Sequence, residues 1–374
     1  MAETIRVGII GASPERGWAQ AAHVPALAAL SGLALSAVAT TRRATAEAAA
    51  AAYGAARAHD DWRALIADPA VDAVAVCVKV AHHRDMVLAA LAAGKPVFCE
   101  WPLGLTTAEA VAMQQAADAA GVPVAIGLQG RVSPHLAAVR ALVAEGAVGE
   151  VISATLVSSL ANWGPKLPPA EAYRTRVESG ATGLTVPGGH TLDSLVHVLG
   201  PFASLSALVT TQTPRCEIVG TGEVLDVTAP DEVLVAGRLA SGAAVSVHVK
   251  ADMANPEGVL FQINGTRGDI RVTTRAPVGP APVGIQRADL LIEVARGRRK
   301  PFVAIEDLSP FLSTPEALPE GPPLFTGQLW ARFRDAIRGG APMVPDFATA
   351  VAAHRLLDAV QAASDTGQRQ RPVA

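Results

Sequence analysis

Gly8-Ile9-Ile10-Gly11-Ala12-Ser13-Pro14-Glu15-Arg16-Gly17-Trp18 leaves a short apolar run, residues 5–10, and enters an alanine-rich stretch that reads as a helix. In a strand–loop–helix unit, a glycine at Gly11 makes the tight turn. A small residue at Ser13 lets the backbone approach a pyrophosphate, and the helix start attracts its charge. The spacing departs from G-x-G-x-x-G, because Ser13 stands where the second glycine is expected and Gly17 comes one residue late. Glycines after a strand also serve as plain turns. The context therefore carries the expectation that Gly11, Ala12, Ser13 and Trp18 face a dinucleotide.

Outward from that loop, residues 33–40, 71–78, 96–99 and 122–126 read as further strands. Helical stretches at 45–53 and 83–93 alternate with them, and another starts after Thr106 or Thr107 as N-cap. The run 71–78 is apolar throughout, as expected of a strand covered on both faces. This alternation predicts an α/β Rossmann domain over residues 1–127, with a doubly wound parallel sheet. Beyond it, residues 150–160, 205–212, 231–239, 243–250, 259–264 and 268–273 read as strands joined by short polar turns. They predict an α+β second domain over 128–325, built on a large open, mostly antiparallel sheet and interrupted by one helix at 190–199. Residues 274–321 are rich in Pro and Gly and receive no assignment. Helices at 328–337 and 348–363 fall in a terminal segment, 326–374, expected to pack back on the Rossmann domain, with a frayed tail after Thr366.

Bulk properties narrow the function classes. A chain of 374 residues suits two cores better than one. With 50% hydrophobic and 17% charged residues it is globular, and a formal net charge of -3 argues against a general affinity for nucleic acid or membrane surfaces. No helix-turn-helix, basic stripe, signal-like leader or apolar span of about 20 residues is visible. The basic run Arg296, Arg298, Arg299, Lys300 is either a solvated loop or an anion contact. Cys77, Cys99 and Cys216 have no metal-ligand spacing and fit reduced thiols, so a cytoplasmic setting is expected.

The second strand ends Thr40-Thr41-Arg42-Arg43, without the acid that would take ribose hydroxyls. Thr41, Arg42 and Arg43 suit a 2′-phosphate, which favours NADP over NAD; the alternative is an exposed arginine pair at a helix start. Val78 and Lys79 sit at the carboxyl end of a parallel strand, where such sheets bind ligands.

Several segments, in order, resemble the glucose–fructose oxidoreductase/inositol dehydrogenase (Gfo/Idh/MocA) family. They include the first-strand loop, His83 ahead of Ala90-Leu91-Ala92-Ala93-Gly94-Lys95, Glu100-Trp101-Pro102, and Gly146-Ala147-Val148-Gly149-Glu150. The His190/Asp193 helix and Asn264-Gly265-Thr266-Arg267-Gly268-Asp269 complete the set. Arg16-Gly17-Trp18-Ala19, Leu128-Gln129-Gly130-Arg131 and Gly189-His190-Thr191-Leu192-Asp193 are similar to a narrower branch, that of the fungal galactose-regulon repressor, which binds a nicotinamide dinucleotide without turnover. The resemblance implies cofactor-side roles for His83, Glu100, Trp101 and Gln129. It also implies a homodimer or homotetramer formed through the open sheet.

The resemblance implies, too, a catalytic lysine where Trp101 stands and an aspartate where Val186 stands, four residues before the histidine. His190 remains the acid/base candidate, with Asp193 three residues on to orient it; a purely structural helix-start bond is the alternative. Lys79 is a candidate for the missing cation. Trp101, Trp163, Lys166 and Tyr173, together with His190, are the candidate substrate contacts, since aromatic faces suit a carbohydrate. Two functions follow as expectations: an NAD(P)-dependent oxidoreductase acting on a sugar, cyclitol or related polyol, or a cofactor-loaded sensor without turnover.

Overall fold

The computed structural model describes residues 3–161, 163–275 and 284–372. Asn162, the first residue of the loop carrying Trp163 and Lys166, lies outside them, as do residues 276–283 of the unassigned stretch. The chain forms two compact units, Met1–Val132 with Ser313–Val351, and Ser133–Leu312 with Ala352–Ala374.

In the first unit the elements run β1 (Ile5–Ile10), α1 (Val24–Ala29), β2 (Leu33–Ala39), α2 (Arg43–Tyr53), β3 (Arg57–His59), α3 (Trp62–Ala67), β4 (Ala73–Val76), α4 (His83–Ala92), β5 (Val97–Cys99), α5 (Thr107–Ala120) and β6 (Val124–Ile126). The strands form one sheet in the order β3-β2-β1-β4-β5-β6, with every pairing parallel. This is the doubly wound order whose switch point lies between β1 and β4. β4 is buried at every position, which explains its unbroken apolar run. Thr106 caps α5 by accepting from the Glu109 amide at 3.2 Å. β3 and α3 escaped the sequence reading. β3 has three residues, two of them polar, and α3 has six, too short for a period to register.

The second unit adds α6 (Pro134–Ala144), β7 (Val151–Ser159), β8 (Lys166–Leu167), α7 (Gly189–Leu199), β9 (Phe202–Thr210), β10 (Arg215–Ile218), β11 (Val224–Asp226), β12 (Glu232–Leu239), β13 (Ala244–Lys250), β14 (Gly258–Gly265), β15 (Gly268–Thr274), β16 (Leu290–Arg296) and β17 (Val303–Ala304). Among the described residues its main sheet has eight strands, ordered β17-β16-β15-β14-β7-β13-β12-β9. The β7–β13 seam is parallel and the other pairings are antiparallel, so the sheet is mixed at one place. Strict alternation buries Val233, Val235, Val245, Val247 and Val249 and leaves Leu234, Ala236 and Ser246 on an open face. β8, β10 and β11 form a separate small sheet over Leu167, Cys216 and Ile218. The tail expected to fray is instead tied down. Gln370 exchanges backbone hydrogen bonds of 2.8 and 2.9 Å with Leu205 on edge strand β9, whose outer backbone groups accept a further partner.

Two helices close the chain, α8 (Pro322–Ile337) and α9 (Phe347–Thr366). α8 belongs to the first unit. It buries Leu329, Trp330 and Phe333 in the same core as Phe98, Ile9 and Leu27.

Candidate functional site

Gly11 turns the chain out of β1 with φ +95°. A Cβ there would run into the Cys77 carbonyl oxygen, so only glycine lets the loops after β1 and β4 approach this closely. The loop is pinned from three sides. The Gly11 amide donates to Ala39 O at 2.9 Å, Tyr53 Oη to Ser13 O at 2.5 Å, and Gln20 Nε2 to Pro14 O at 2.7 Å. Ala12 is buried, Ser13 and Trp18 are half-buried, and residues 15–17 are exposed. A tight positive-φ glycine followed by two small residues, at the switch point of a parallel sheet, fits a dinucleotide diphosphate.

At the end of β2, Thr41 and Arg42 are exposed. Arg43 is committed elsewhere: Nε donates to Glu47 Oε1 at 2.7 Å and Nη1 to Ala58 O at 3.0 Å. After β4, Val78 is half-buried and Lys79 exposed. His83 is buried between the Val78 carbonyl, 3.0 Å from Nε2, and the Pro102 carbonyl, 2.9 Å from Nδ1. Burial lowers its pKa, although those carbonyls and Glu100 oppose the shift.

Glu100 follows β5. Its Oε1 accepts from His23 Nε2 at 2.8 Å and its Oε2 from Gln129 Nε2 at 3.2 Å. Gly127 packs against the same carboxylate so tightly that a Cβ would overlap it. Trp101 is 6% exposed and Gln129 2%.

In the second unit, a π-helical turn, Leu184–Gly188, runs straight into α7 and delivers His190 and Asp193, both buried. Val186 lies within that turn. Burial, with the Arg287 guanidinium nearby, lowers the His190 pKa to about 3, so the ring is neutral at physiological pH. Arg287 is itself lowered by burial and by the charge of Arg174. Arg174 stacks over Trp163 at 5.0 Å and pairs with Glu171 at 2.8 Å, one residue from half-buried Tyr173. Arg287 thus acts on His190 and is itself acted on by Arg174, whose guanidinium lies over the Trp163 ring. Lys166 is exposed on β8, with its ammonium 3.1 Å from Glu217. Among the described residues, no three His, Cys, Asp or Glu side chains gather as metal ligands, and no helix is long and apolar enough to cross a membrane.

The oxidoreductase family with an NAD-binding Rossmann fold matches residues 5–128. The inositol 2-dehydrogenase of Paracoccus denitrificans is 31% identical over 287 residues, covering 76% of this chain and 76% of that protein. The chain belongs to the Gfo/Idh/MocA oxidoreductase family. The second half of this Gfo/Idh/MocA chain, residues 134–274, matches the Gal80p C-terminal domain. The galactose/lactose metabolism regulatory protein GAL80 of Saccharomyces cerevisiae is 26% identical over 291 residues, 72% of this chain and 67% of that protein. A solved NAD binding oxidoreductase from Klebsiella pneumoniae has the same fold, with TM-score 0.83 and 25% identity over 99% of this chain and 100% of that one.

Sequence reasoning missed the pair His23 and Trp330, of which His23 touches Glu100, and missed Arg287 near His190. The first pair is 307 residues apart and nothing local marks it. Arg287 sits in the Pro- and Gly-rich stretch that has no readable period.

Proposed function

We propose that this Gfo/Idh/MocA member is an NAD(P)-dependent oxidoreductase acting on a sugar, cyclitol or related polyol, in a cytoplasmic setting. The observation that carries the proposal is the Gly11–Ser13 loop at the switch point of the parallel sheet, in a chain whose second unit buries His190 and Asp193 on one helix. The cofactor, when bound, supplies the hydride acceptor. Gly11, Ala12, Ser13 and Trp18 would hold its diphosphate side, and Val78, Lys79, His83, Trp101 and Gln129 surround the ends of β4, β5 and β6. His190 would take the proton of the substrate hydroxyl, with Asp193 three residues on to orient the ring and offset the positive charge that burial and Arg287 disfavour. Arg287 stabilises the developing alkoxide, the task the resemblance gives to a lysine where Trp101 stands. Trp163, with Tyr173 nearby, offers a face for a sugar ring.

Thr41 and Arg42, with no acid among residues 40–43, favour NADP over NAD. The open sheet face, where Leu208 and Leu234 are exposed on paired strands, suits a homodimer or homotetramer.

The match of residues 134–274 to the Gal80p C-terminal domain favours a second reading, a cofactor-loaded regulator without turnover. Absorbance of reduced nicotinamide, followed with purified protein, NAD or NADP and a panel of sugars, cyclitols and sugar acids, separates the two. Turnover that His190→Gln lowers by about a hundredfold or more supports the enzyme. Ligand binding that depends on cofactor redox state, with no turnover on any substrate, supports the regulator.

A further inference from the structure

Glu100 ends a chain of contacts whose members come from three distant parts of the first unit. His23 closes the π-helical turn Ala19–His23 just after the diphosphate loop, Gln129 follows β6, Gly127 lies between β6 and Gln129, and Trp330 is on α8. Trp330 Nε1 donates to His23 Nδ1 at 3.1 Å. An indole N–H only donates, so His23 Nδ1 is the acceptor and the ring proton sits on Nε2, aimed at Glu100 Oε1 at 2.8 Å. Gln129 Nε2 takes the other carboxylate oxygen. His23 and Trp330 are both fully buried, and Phe98 meets the His23 ring edge-on with centroids 5.0 Å apart. Every member has one fixed hydrogen-bonding sense, and the chain of bonds ends on the residue immediately before Trp101.

We infer that Trp330, His23 and Gln129 are positioning residues: through the Glu100 carboxylate they lock the Glu100-Trp101-Pro102 turn in the form that receives the nicotinamide dinucleotide. The inference rests on the dinucleotide reading above and deepens it. It assigns Glu100 an internal role in place of a direct contact with the cofactor. It also ties helix α8 to the ligand edge of the sheet. A carboxamide at position 100 can keep the shape, because its oxygen still accepts from His23 and Gln129 can rotate its amide to present an oxygen. An apolar side chain cannot, and leaves the His23 and Gln129 donors buried without acceptors.

The test measures NADH and NADPH affinity by fluorescence titration, with near-ultraviolet circular dichroism confirming that each variant is folded. Glu100→Leu and His23→Phe should weaken binding at least tenfold, and Trp330→Phe, which removes the N–H together with part of the buried ring, two- to fivefold. Glu100→Gln should recover to within threefold of the parent. A Glu100→Gln variant as impaired as Glu100→Leu overturns the inference, because the charge itself would then be needed at the ligand. Parent-like binding by His23→Phe also overturns it. Where His23→Phe fails to fold, Trp330→Phe carries the same decision. Nitrogen-15 NMR of the histidine rings reads the relay without any cofactor. A His23 Nε2–H tautomer that Trp330→Phe perturbs supports the relay, and an Nδ1–H tautomer overturns it. A parent protein that binds neither dinucleotide defeats the functional reading alone, and the NMR signature then decides the relay.

Discussion

His83 bridges Val78 and Pro102, with Nε2 3.0 Å from one carbonyl and Nδ1 2.9 Å from the other. It therefore joins the loop after β4 to the turn after β5, both at the ligand edge of the sheet. Cys99 Sγ lies 3.4 Å from the same Nδ1. Burial lowers the ring's pKa, and a neutral ring has one N–H, which donates to one of the two carbonyls. Replacing His83 by Leu leaves the carbonyl that accepts this proton without its donor. Urea titration should show a loss of about 2 kcal/mol or more, within the range for unsatisfied buried polar groups.

Gly11→Ala tests the diphosphate loop. A side chain at φ +95° is strained by about 1–2 kcal/mol, and its Cβ would also press on the Cys77 carbonyl. The variant should keep its far-ultraviolet circular dichroism and lose NADH and NADPH affinity by tenfold or more in isothermal calorimetry. Unchanged affinity would remove the loop from the binding site.

Acid should weaken the fold before it protonates most carboxylates. The pKa of buried His190 is lowered to about 3 and that of His354 to about 4, from an ordinary value of 6.5. Between those values and 6.5 the unfolded chain binds the extra protons, so stability falls as pH falls through that window. The slope approaches about 1.4 kcal/mol per pH unit per histidine. Between pH 7 and 5 each contributes a loss of about 2 kcal/mol. Urea midpoints across this range should show the decline, and His190→Gln should make it shallower. Arg287→Leu should raise the His190 pKa, read by NMR, because it removes a nearby cation.

Glu316 adds a second acid-sensitive element. Burial acts to raise its pKa, but the Ser31 amide, Thr314 and Arg334 overcome that and bring it to about 2. The Ser31 amide donates at 2.6 Å and Arg334 Nη1 at 3.0 Å. Its contribution is present above the unfolded value near 4.5 and is lost as pH falls from there toward 2. Glu316→Gln should lower stability by about 1–2 kcal/mol at pH 7 and remove that part of the acid transition, measured by urea titration.

The open face of the eight-stranded sheet gives the last expectation. Leu234 and Leu208 are exposed on neighbouring strands. Leu234→Asp places a charge on that face, one strand in from edge strand β9. Light scattering should show a smaller particle than the parent if this face joins subunits.

What the residues disclosed by themselves was whatever depends on local period and turn chemistry. The apolar run of β4, the Thr106 cap, the Gly11 turn and the alternation in β12 and β13 are set by neighbours within a few positions, so the Rossmann sheet and the large second sheet could be read directly. The Gly11–Ser13 turn could be read for the same reason, whereas His190 was singled out through the family resemblance. Short elements such as β3, α3 and β8 carry too few residues for a pattern to appear. Tertiary structure alone decided which side chains share a proton or a field. His23, Glu100, Gln129 and Trp330 meet only because a parallel sheet brings the ends of distant segments to one edge. Arg287 alters His190 from nearly a hundred residues away because both are withdrawn from water, where charge–dipole and charge–charge effects are poorly screened.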